Sequence, residues 1–176
     1  PGKSAIHVTT IVDAKTGAIF AHNAYNAGFG DRVAFFDVDD PARSLTGDRT
    51  EFLGRNGTLA APAAMRRVRL SGRFGAGLDP CAAMQVQFEL EEGQEKEIVF
   101  VLGAATSDAD ARQLVQRFRG VATAQRTLEG VWHYWSRTLG TVYIETPDAS
   151  VNFLANGWLV YQVLACRLWA RTGFYQ

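Results

Sequence analysis

The chain has 176 residues, of which 18 are basic and 18 acidic, and it is 47% hydrophobic. This is the composition of a globular protein that is long enough to bury one core of domain size. A formal net charge of zero argues against nucleic acid or an anionic membrane surface as the main partner, because both attract basic proteins. The longest apolar run, residues 158–166, is interrupted by Gln162 and is far shorter than the ~20 residues of a membrane span. Direct membrane insertion is therefore not expected.

The N-terminal part of the chain has the pattern of short β-strands. Residues 5–12 alternate in polarity and are rich in Val, Ile and Thr, whereas residues 13–17 have the composition of a turn. The strand pattern resumes in residues 18–23 and again in Val33–Val38. These segments predict consecutive antiparallel strands.

A β-hairpin is the strongest strand prediction. In residues 82–90, apolar and polar side chains alternate; residues 91–95 form a turn and residues 97–102 return. Residues 41–77 are rich in Gly, Pro and Arg, and they are predicted as loops with short strands. Many antiparallel strands separated by turns indicate a β-sandwich.

The chain then becomes helical. Ser107 and Asp110 match a capping box, which predicts a helix over residues 110–119. Val121–Leu139 has a single apolar stripe and predicts a second helix. A third helix is predicted over residues 146–176, with Thr146 as its N-cap.

The third predicted helix is apolar around nearly its whole circumference, and such a helix belongs inside a larger structure. We therefore expect the chain to be a piece of a larger enzyme. One polar stripe interrupts the apolar surface and contains Asn152, Asn156, Arg167 and Arg171. The two arginines are four residues apart, so their guanidinium groups can converge on one anion. That anion is either a carboxylate of the same protein or an oxyanion such as phosphate, and the pattern alone favours neither.

A second candidate site is the glycine-flanked segment 47–57, which combines charged residues with an aromatic one. Asp48, Arg49, Phe52 and Arg55 are a reasonable set for contacting a sugar, because loops on a rigid scaffold often bind ligands. The structural alternative is that Asp48 and Arg49 pair to fix the loop while Phe52 lies in the core.

No complete catalytic or metal-binding motif is found, since phosphate-loop, HExxH, CxxC and GxSxG patterns are all missing from the sequence. We therefore predict no catalytic residue and no metal site in this chain. Asp37, Asp39 and Asp40 cluster before Pro41, which favours a solvated turn over a metal site. Cys81 and Cys166 are expected to be free thiols. The histidines, which we expect to be structural, are His7, His22 and His133.

Three motifs carry a family resemblance: GDRTEFLGRNG (47–57), LSGRFGAGLDPC (70–81) and NGWLVYQVLACRLWARTGFYQ (156–176). They resemble the phosphorylase-type region of cyclic β-1,2-glucan synthases, in glycoside hydrolase family 94, together with the cellobiose and chitobiose phosphorylases. The resemblance implies a mainly β fold with C-terminal helices (α+β). The fold that the resemblance implies comprises an antiparallel β-sandwich over 1–105, a helical linker over 106–145 and the first helix of an (α/α)₆ barrel over 146–176.

The resemblance also implies a chemistry. Phosphorolysis needs one acid together with cationic groups that hold the attacking phosphate. Arg171 then corresponds to the phosphate-contacting arginine of the family, with Arg167 beside it, and Asp48, Arg49, Phe52 and Arg55 lie where the sandwich reaches a glycan site. The family's catalytic Asp lies beyond the last residue of this chain, so we expect the chain alone to be inactive.

The expected function is that of a non-catalytic part of an enzyme of cyclic β-1,2-glucan synthesis or phosphorolysis. Its partners would be a β-linked glucan and the rest of the catalytic barrel, with inorganic phosphate as a substrate of the whole enzyme and no cofactor. A homodimer is also compatible with the resemblance, and a stand-alone carbohydrate-binding or dimerisation module is the alternative. The resemblance implies a cytoplasmic domain in a protein held at the bacterial inner membrane by other segments.

Overall fold

A computed structural model describes residues 5–25 and 28–169 of the chain, with side chains described up to residue 166. The chain divides into two compact units, Pro1–Ala124 and Gln125–Gln176, and the division falls within a helix.

The first unit contains two antiparallel β-sheets. Four strands form the larger sheet, in the order β1-β2-β3-β6, and two form the smaller sheet, β4-β5. The predicted mainly β fold with C-terminal helices is confirmed. The strands are β1 (Val8–Val12), β2 (Ile19–Asn23), β3 (Val33–Val38), β4 (Ser44–Asp48), β5 (Pro80–Gln85) and β6 (Phe100–Ala105).

The core of the larger sheet is built on one cross-strand row. Phe20 of β2 lies opposite Phe35 of β3, and Phe35 lies opposite Gly103 of β6. Both phenylalanines are buried. A Cβ atom at Gly103 would lie 2.4 Å from the Phe35 ring, so the glycine leaves the space that the ring fills.

Helix α2 (Asp108–Phe118) covers this face of the sheet. Its buried Ala111 and Val115 join the core cluster of Phe20 and Phe35, as expected of an amphipathic helix. The Ser107 hydroxyl accepts a hydrogen bond from the Asp110 N–H at 3.2 Å. The predicted capping role of Ser107 is therefore confirmed.

Arg112 of α2 and Arg119, the residue that follows α2, bind two buried carboxylates, one directly after β1 and one in β3. Arg112 Nε donates to Asp13 Oδ1 at 2.8 Å. Seven residues later, Arg119 donates to both carboxylate oxygens of Asp37, at 2.8 and 3.0 Å. Residues seven apart lie on the same side of a helix, so both arginines reach the sheet. Arg119 also donates to the Thr16 carbonyl.

These contacts change the titration of the paired groups. Burial acts to raise the pKa of Asp13, but hydrogen bonds from Arg112 and Thr16 outweigh it and lower the pKa. The hydrogen bonds with Asp37 raise the pKa of Arg119 against the opposing effect of burial.

The interpretation of Asp37, Asp39 and Asp40 as a solvated turn is wrong for two of the three residues. Asp37 is fully buried and paired. Asp40 is also buried; it accepts hydrogen bonds from the Ala42 N–H at 2.8 Å and from Lys96 at 3.2 Å. Only Asp39 is exposed. The partners Lys96 and Arg119 are distant in sequence, so the local pattern could not indicate them.

The predicted hairpin of residues 82–90 and 97–102 is wrong. β5 pairs with β4 and β6 pairs with β3, so the two predicted arms belong to different sheets. Residues 86–99 connect them without regular strand pairing. The expected turn does form, because the Gln94 N–H donates to the Glu91 carbonyl at 3.0 Å. Polarity alternation identifies a strand but not its partner.

The second unit contains most of helix α3 (Val121–Leu139), as predicted, and then a helical segment that is interrupted. Asp148 caps this segment, since its Oδ1 accepts from the Ser150 N–H at 2.8 Å; the prediction of Thr146 as the cap is wrong. The segment comprises α4 (Ala149–Phe153), a π-helical turn (Leu154–Trp158), α5 (Leu159–Val163) and a second π-helical turn (Leu164–Trp169).

The single long helix predicted for 146–176 is therefore kinked. Gly157 has φ +122°, a conformation that favours glycine, and Asn156 is also non-helical. Within residues 5–25 and 28–169, no helix has the length and apolar character needed to cross a membrane.

Replacing Arg119 should destabilise the first unit strongly. Arg119→Met leaves the Asp37 carboxylate buried without its partner, which should cost about 3 kcal/mol of unfolding free energy. Urea unfolding of the variant and of Lys15→Met, an exposed lysine, measures the effect. The control should change stability by less than about 0.5 kcal/mol. Equal effects of the two variants would contradict the role of the pair.

Candidate functional site

The segment 47–57 folds as the end of a strand followed by one helical turn. β4 ends at Asp48, and α1 (Arg49–Leu53) begins immediately after it. Asp48 is the N-cap, because its Oδ1 accepts from the Thr50 N–H at 2.9 Å. We call this region, residues 46–55 with the adjacent segment 71–73, the β4–α1 corner.

The β4–α1 corner is held from both sides. β5 pairs with one edge of β4. On the other side, the Gly72 N–H donates to the Leu45 carbonyl at 2.8 Å, and the Gly47 N–H donates to the Arg73 carbonyl at 2.7 Å. A strand whose backbone is bonded on both edges is a rigid support for the helical turn that follows it.

The carboxylate of Glu51 joins the two parts of the corner. It accepts from the Ser71 N–H at 2.8 Å and the Ser71 hydroxyl at 2.6 Å. The Thr46 hydroxyl donates to it as well, at 2.6 Å. Burial acts to raise the pKa of Glu51, but these hydrogen bonds outweigh burial and lower the pKa. Glu51 is therefore ionised near neutral pH and suited to fixing the loop rather than to donating a proton.

Asp48 and Arg49 do not pair with each other as the structural alternative proposed. The buried Asp48 carboxylate binds Arg73 Nη1 at 3.1 Å. Arg49 lies 3.7 Å from the Asp79 carboxylate, with about half of its side chain exposed. Asp48 is therefore occupied inside the corner, whereas Arg49 keeps an accessible guanidinium group.

The other two predicted residues also differ in accessibility. Phe52 packs against the small core cluster of Ala64, Leu70 and Ala83, as the structural alternative expected. Arg55 is exposed. The structure thus brings all four predicted residues to one corner but leaves only the two arginines with accessible charged groups.

Sequence reasoning missed the residues that complete the corner. Ser71 and Arg73 lie at least twenty residues from their partners Glu51 and Asp48, so no local spacing could indicate these two contacts.

Cys81, in the neighbouring strand β5, is a free thiol, as expected. Burial, followed by the charges of Asp48 and Asp79, raises its pKa to about 11, which makes it unreactive.

The second predicted site can be placed only in part. Arg171 lies outside the described residues, and of Arg167 only the backbone is described, in the second π-helical turn. Their predicted contact with phosphate stays a prediction. Among the described residues, no cluster of His, Cys, Asp and Glu side chains could hold a metal ion.

The two asparagines predicted to share a stripe with these arginines have a clear role. The Asn152 amide donates to the Thr146 carbonyl and accepts from the Thr146 N–H, at 2.9 and 2.8 Å. The Asn156 amide makes the same two bonds with Ile144, both at 2.8 Å. The two asparagines are four residues apart along the helical segment, which corresponds to about 6.0 Å. Their partners are two residues apart along an extended segment, which corresponds to about 6.6 Å. The two distances match, so both asparagines can bind the same extended segment.

The two asparagines thus form a side-chain ladder that fixes an extended segment along the helix.

Beside the asparagine ladder lies a groove of about 640 Å³, which is lined by Leu139, Phe153 and Trp158, among others. The ring centroids of Trp158 and Tyr161 lie 6.1 Å apart. Several apolar side chains on this part of the unit are exposed: Phe153, Leu154, Trp158, Leu159 and Val163.

Comparison with protein families gives two matches in the same order as the two units. The model of the glycosyl hydrolase 94 supersandwich domain matches residues 1–121, which is more than half of the chain. The chain belongs to glycoside hydrolase family 94. The model of the family 94 catalytic domain matches residues 134–176, which contain the asparagine ladder and Arg167 and Arg171.

Individual relatives agree with this assignment. The cyclic β-(1,2)-glucan synthase NdvB of Rhizobium meliloti is 34% identical over 99% of this chain and 6% of the relative. An N,N′-diacetylchitobiose phosphorylase of Vibrio proteolyticus is 25% identical over 82% of the chain and 17% of its own length. A cellobionic acid phosphorylase of Neurospora crassa is 29% identical over 73% of the chain and 16% of its own length. The chain therefore spans only a small part of the length of each of these relatives.

Glu51 should contribute to stability in a pH-dependent way. Because its pKa is lower in the folded state than its ordinary value of 4.5, the contribution is fully present above that value and disappears as the pH falls through the folded-state pKa. Glu51→Gln should therefore lower the unfolding free energy at pH 7 more than at pH 3. Urea unfolding at both pH values, with exposed Glu95→Gln as the control, measures the difference. A pH-independent effect would contradict the assignment.

Removing either asparagine should expose one particular backbone amide. Asn156→Ala should reduce the hydrogen-exchange protection of the Ile144 N–H, and Asn152→Ala that of the Thr146 N–H, each by at least ~10-fold. Ser150→Ala, an exposed position on the same helical turn, is the control and should leave both amides protected. The ladder would be refuted if both amides exchanged at the same rates in all three variants.

Proposed function

We propose that the chain supplies the supersandwich domain and the beginning of the catalytic domain to a family 94 enzyme of cyclic β-1,2-glucan synthesis or phosphorolysis. The observation that carries the proposal is the alignment of 99% of the chain with a cyclic β-(1,2)-glucan synthase. The phosphorylases among the relatives favour phosphate as the second substrate of the whole enzyme. Inorganic phosphate would then be a substrate and not a resident cofactor.

The domain arrangement that we propose is a sandwich over 1–105, a helical linker over 106–145 and the first barrel helix over 146–176. The exposed apolar side chains of the second unit support this arrangement. Trp158 and Phe153 are about half and nearly three-quarters exposed, and patches of this kind mark surfaces that another part of a protein covers. In the proposed enzyme, the rest of the helical barrel covers them.

We propose that the β4–α1 corner faces the glycan. Arg49 and Arg55 are exposed cations of the corner, beside Arg73, which is also exposed but binds Asp48. A guanidinium group can donate several hydrogen bonds to neighbouring sugar hydroxyls. Asp48 and Phe52 would act indirectly, since one caps α1 and the other packs on the core beneath it. The corner therefore supplies binding and orientation, while proton transfer belongs to the catalytic domain.

We propose that Arg171, with Arg167 one helical turn before it, binds phosphate. A guanidinium group matches an oxyanion in geometry and remains charged at all relevant pH values. The position of both residues within the stretch that matches the catalytic domain supports this role.

We also propose that the enzyme acts in the cytoplasm, at the inner membrane, and that the supersandwich domain associates with a second copy of itself.

Titration with linear β-1,2-glucan tests the role of the corner. The chain should bind the glucan measurably by calorimetry at millimolar ligand, and Arg49→Ala with Arg55→Ala should weaken binding at least ~10-fold, because hydrogen bonds from charged groups are lost. Lys15→Ala, which removes an exposed cation on a different turn, is the control.

Absence of heat and of any spectral shift at millimolar glucan would contradict glycan contact by this domain. Binding that is unchanged in the double variant would assign the contact to another surface. Equal affinity of this chain and of the whole enzyme for the glucan would favour a self-sufficient binding module, the alternative function, because the corner lies wholly in the first unit.

A further inference from the structure

A groove lies between helix α2 and the end of strand β6, and we call it the α2–β6 groove. Its volume is about 370 Å³, which is within the range of sites that bind small molecules. All of the residues that line it belong to the first unit. None of them belongs to the β4–α1 corner, so the groove is a separate feature of the domain.

The register of the larger sheet places Arg32 at the groove. Val33 of β3 pairs with Ala105 of β6, so the residues just outside the two strands, Arg32 and Thr106, are neighbours at this end of the sheet. Both residues line the groove. The Arg32 N–H donates to the Phe29 carbonyl at 3.0 Å, and this bond closes a turn that fixes the backbone just before β3.

One side of α2 supplies the other wall. Four helix residues line the groove at successive intervals of three, one and three positions, and such residues share one side of a helix: Asp110, Gln113, Leu114 and Arg117. The Arg117 guanidinium lies 5.3 Å from the centroid of the Phe118 ring, a distance at which a cation–π contact holds the charged group. The groove thus receives one arginine from each wall.

Neither arginine of the groove is neutralised by a carboxylate. Among the side chains that the structure describes, none that carries a carboxylate lies within ion-pairing distance of Arg32 or Arg117. Both arginines are exposed. The Asp110 carboxylate, which also lines the groove, instead accepts a hydrogen bond from the Thr106 hydroxyl. Two guanidinium groups therefore remain available to an anion that enters the groove.

The rest of the lining suits a molecule with hydroxyl groups. The exposed Gln113 amide can both donate and accept hydrogen bonds, and the Asp110 carboxylate has further lone pairs for hydroxyl donors. Leu114 and Ala104 add an apolar surface against which the C–H groups of a sugar ring can pack. A few polar groups beside an apolar wall are the usual composition of a small-molecule site.

We propose that the α2–β6 groove binds a phosphorylated sugar. Arg32 and Arg117 hold the phosphate, because guanidinium groups match an oxyanion in geometry. A phosphate ester carries close to two negative charges near neutral pH, so the two arginines balance it. The sugar hydroxyls bind Asp110 and Gln113. This site goes beyond the proposed function, since it shares no residue with the glycan-binding corner or with the phosphate-binding stretch of the catalytic domain.

Titration of the whole chain with glucose-6-phosphate tests the proposal. The amide signals of Thr106 and Gln113, followed by heteronuclear NMR, should shift and saturate at millimolar ligand. Arg32→Gln and Arg117→Gln should each weaken binding at least ~10-fold, because hydrogen bonds from a charged group are lost. Arg66→Gln is the matched control. It removes the same charge at an exposed position outside the groove and should leave the affinity unchanged.

Two further ligands separate the contributions of the phosphate and the sugar. Inorganic phosphate should bind the groove more weakly than glucose-6-phosphate, and glucuronate should do so as well because its carboxylate carries a single charge. Gln113→Ala should weaken binding of glucose-6-phosphate but leave that of inorganic phosphate unchanged, since its amide contacts only the sugar.

Four results would overturn the inference. The first is an absence of shifts at the groove amides at millimolar glucose-6-phosphate. The second is equal weakening by Arg66→Gln, which would indicate attraction by the overall charge. The third is equal affinity for inorganic phosphate and the phosphorylated sugar, which would exclude recognition of the sugar. The fourth is binding that only Arg171→Gln abolishes, which would support the proposed phosphate site of the catalytic stretch while refuting the groove.

Discussion

The fold of the first unit depends on two arginine–aspartate pairs that join α2 to the sheet. Asp13 and Asp37 are buried, and a buried carboxylate is costly unless it is paired and hydrogen-bonded. Arg112 and Arg119 meet this need from one helix, and the Thr16 carbonyl accepts from both Arg119 and Arg43. The helix can therefore dock in only one register, the one in which both carboxylates find their partners.

The same principle distinguishes structural from accessible charge in the β4–α1 corner. The Asp48 carboxylate is paired with Arg73 and the Glu51 carboxylate is hydrogen-bonded to Ser71, so both groups stabilise the backbone of the corner. Arg49 and Arg55 are exposed, and so is Arg73, although it pairs with Asp48. Both carboxylates of the corner are already paired, so the role that we propose for it is to bind and orient a glycan and not to transfer a proton. This division of labour suits a domain that assists a catalytic domain elsewhere in the protein.

The sequence predicted those features that local patterns determine. Ser107 was identified as a cap and Val121–Leu139 as a helix, because both depend on residues a few positions apart. The pairing of β5 with β4, in contrast, depends on residues some forty positions apart, and an alternating pattern fits many partners equally well. The partners of Asp37 and Glu51 are remote for the same reason. Which of the candidate residues of the corner remain accessible could be distinguished only in three dimensions, and their contact with a glycan stays a prediction.

The asparagine ladder constrains the number of residues between Asn152 and Asn156 more tightly than it constrains their identity. The three residues between Asn152 and Asn156 make no contribution to the four hydrogen bonds with Ile144 and Thr146, so their identities are open to change. Deleting or inserting a single residue there would rotate one amide by about 100° around the helix and separate it from its backbone partner. The ladder itself therefore tolerates substitution within this interval but not a change in the length of the interval.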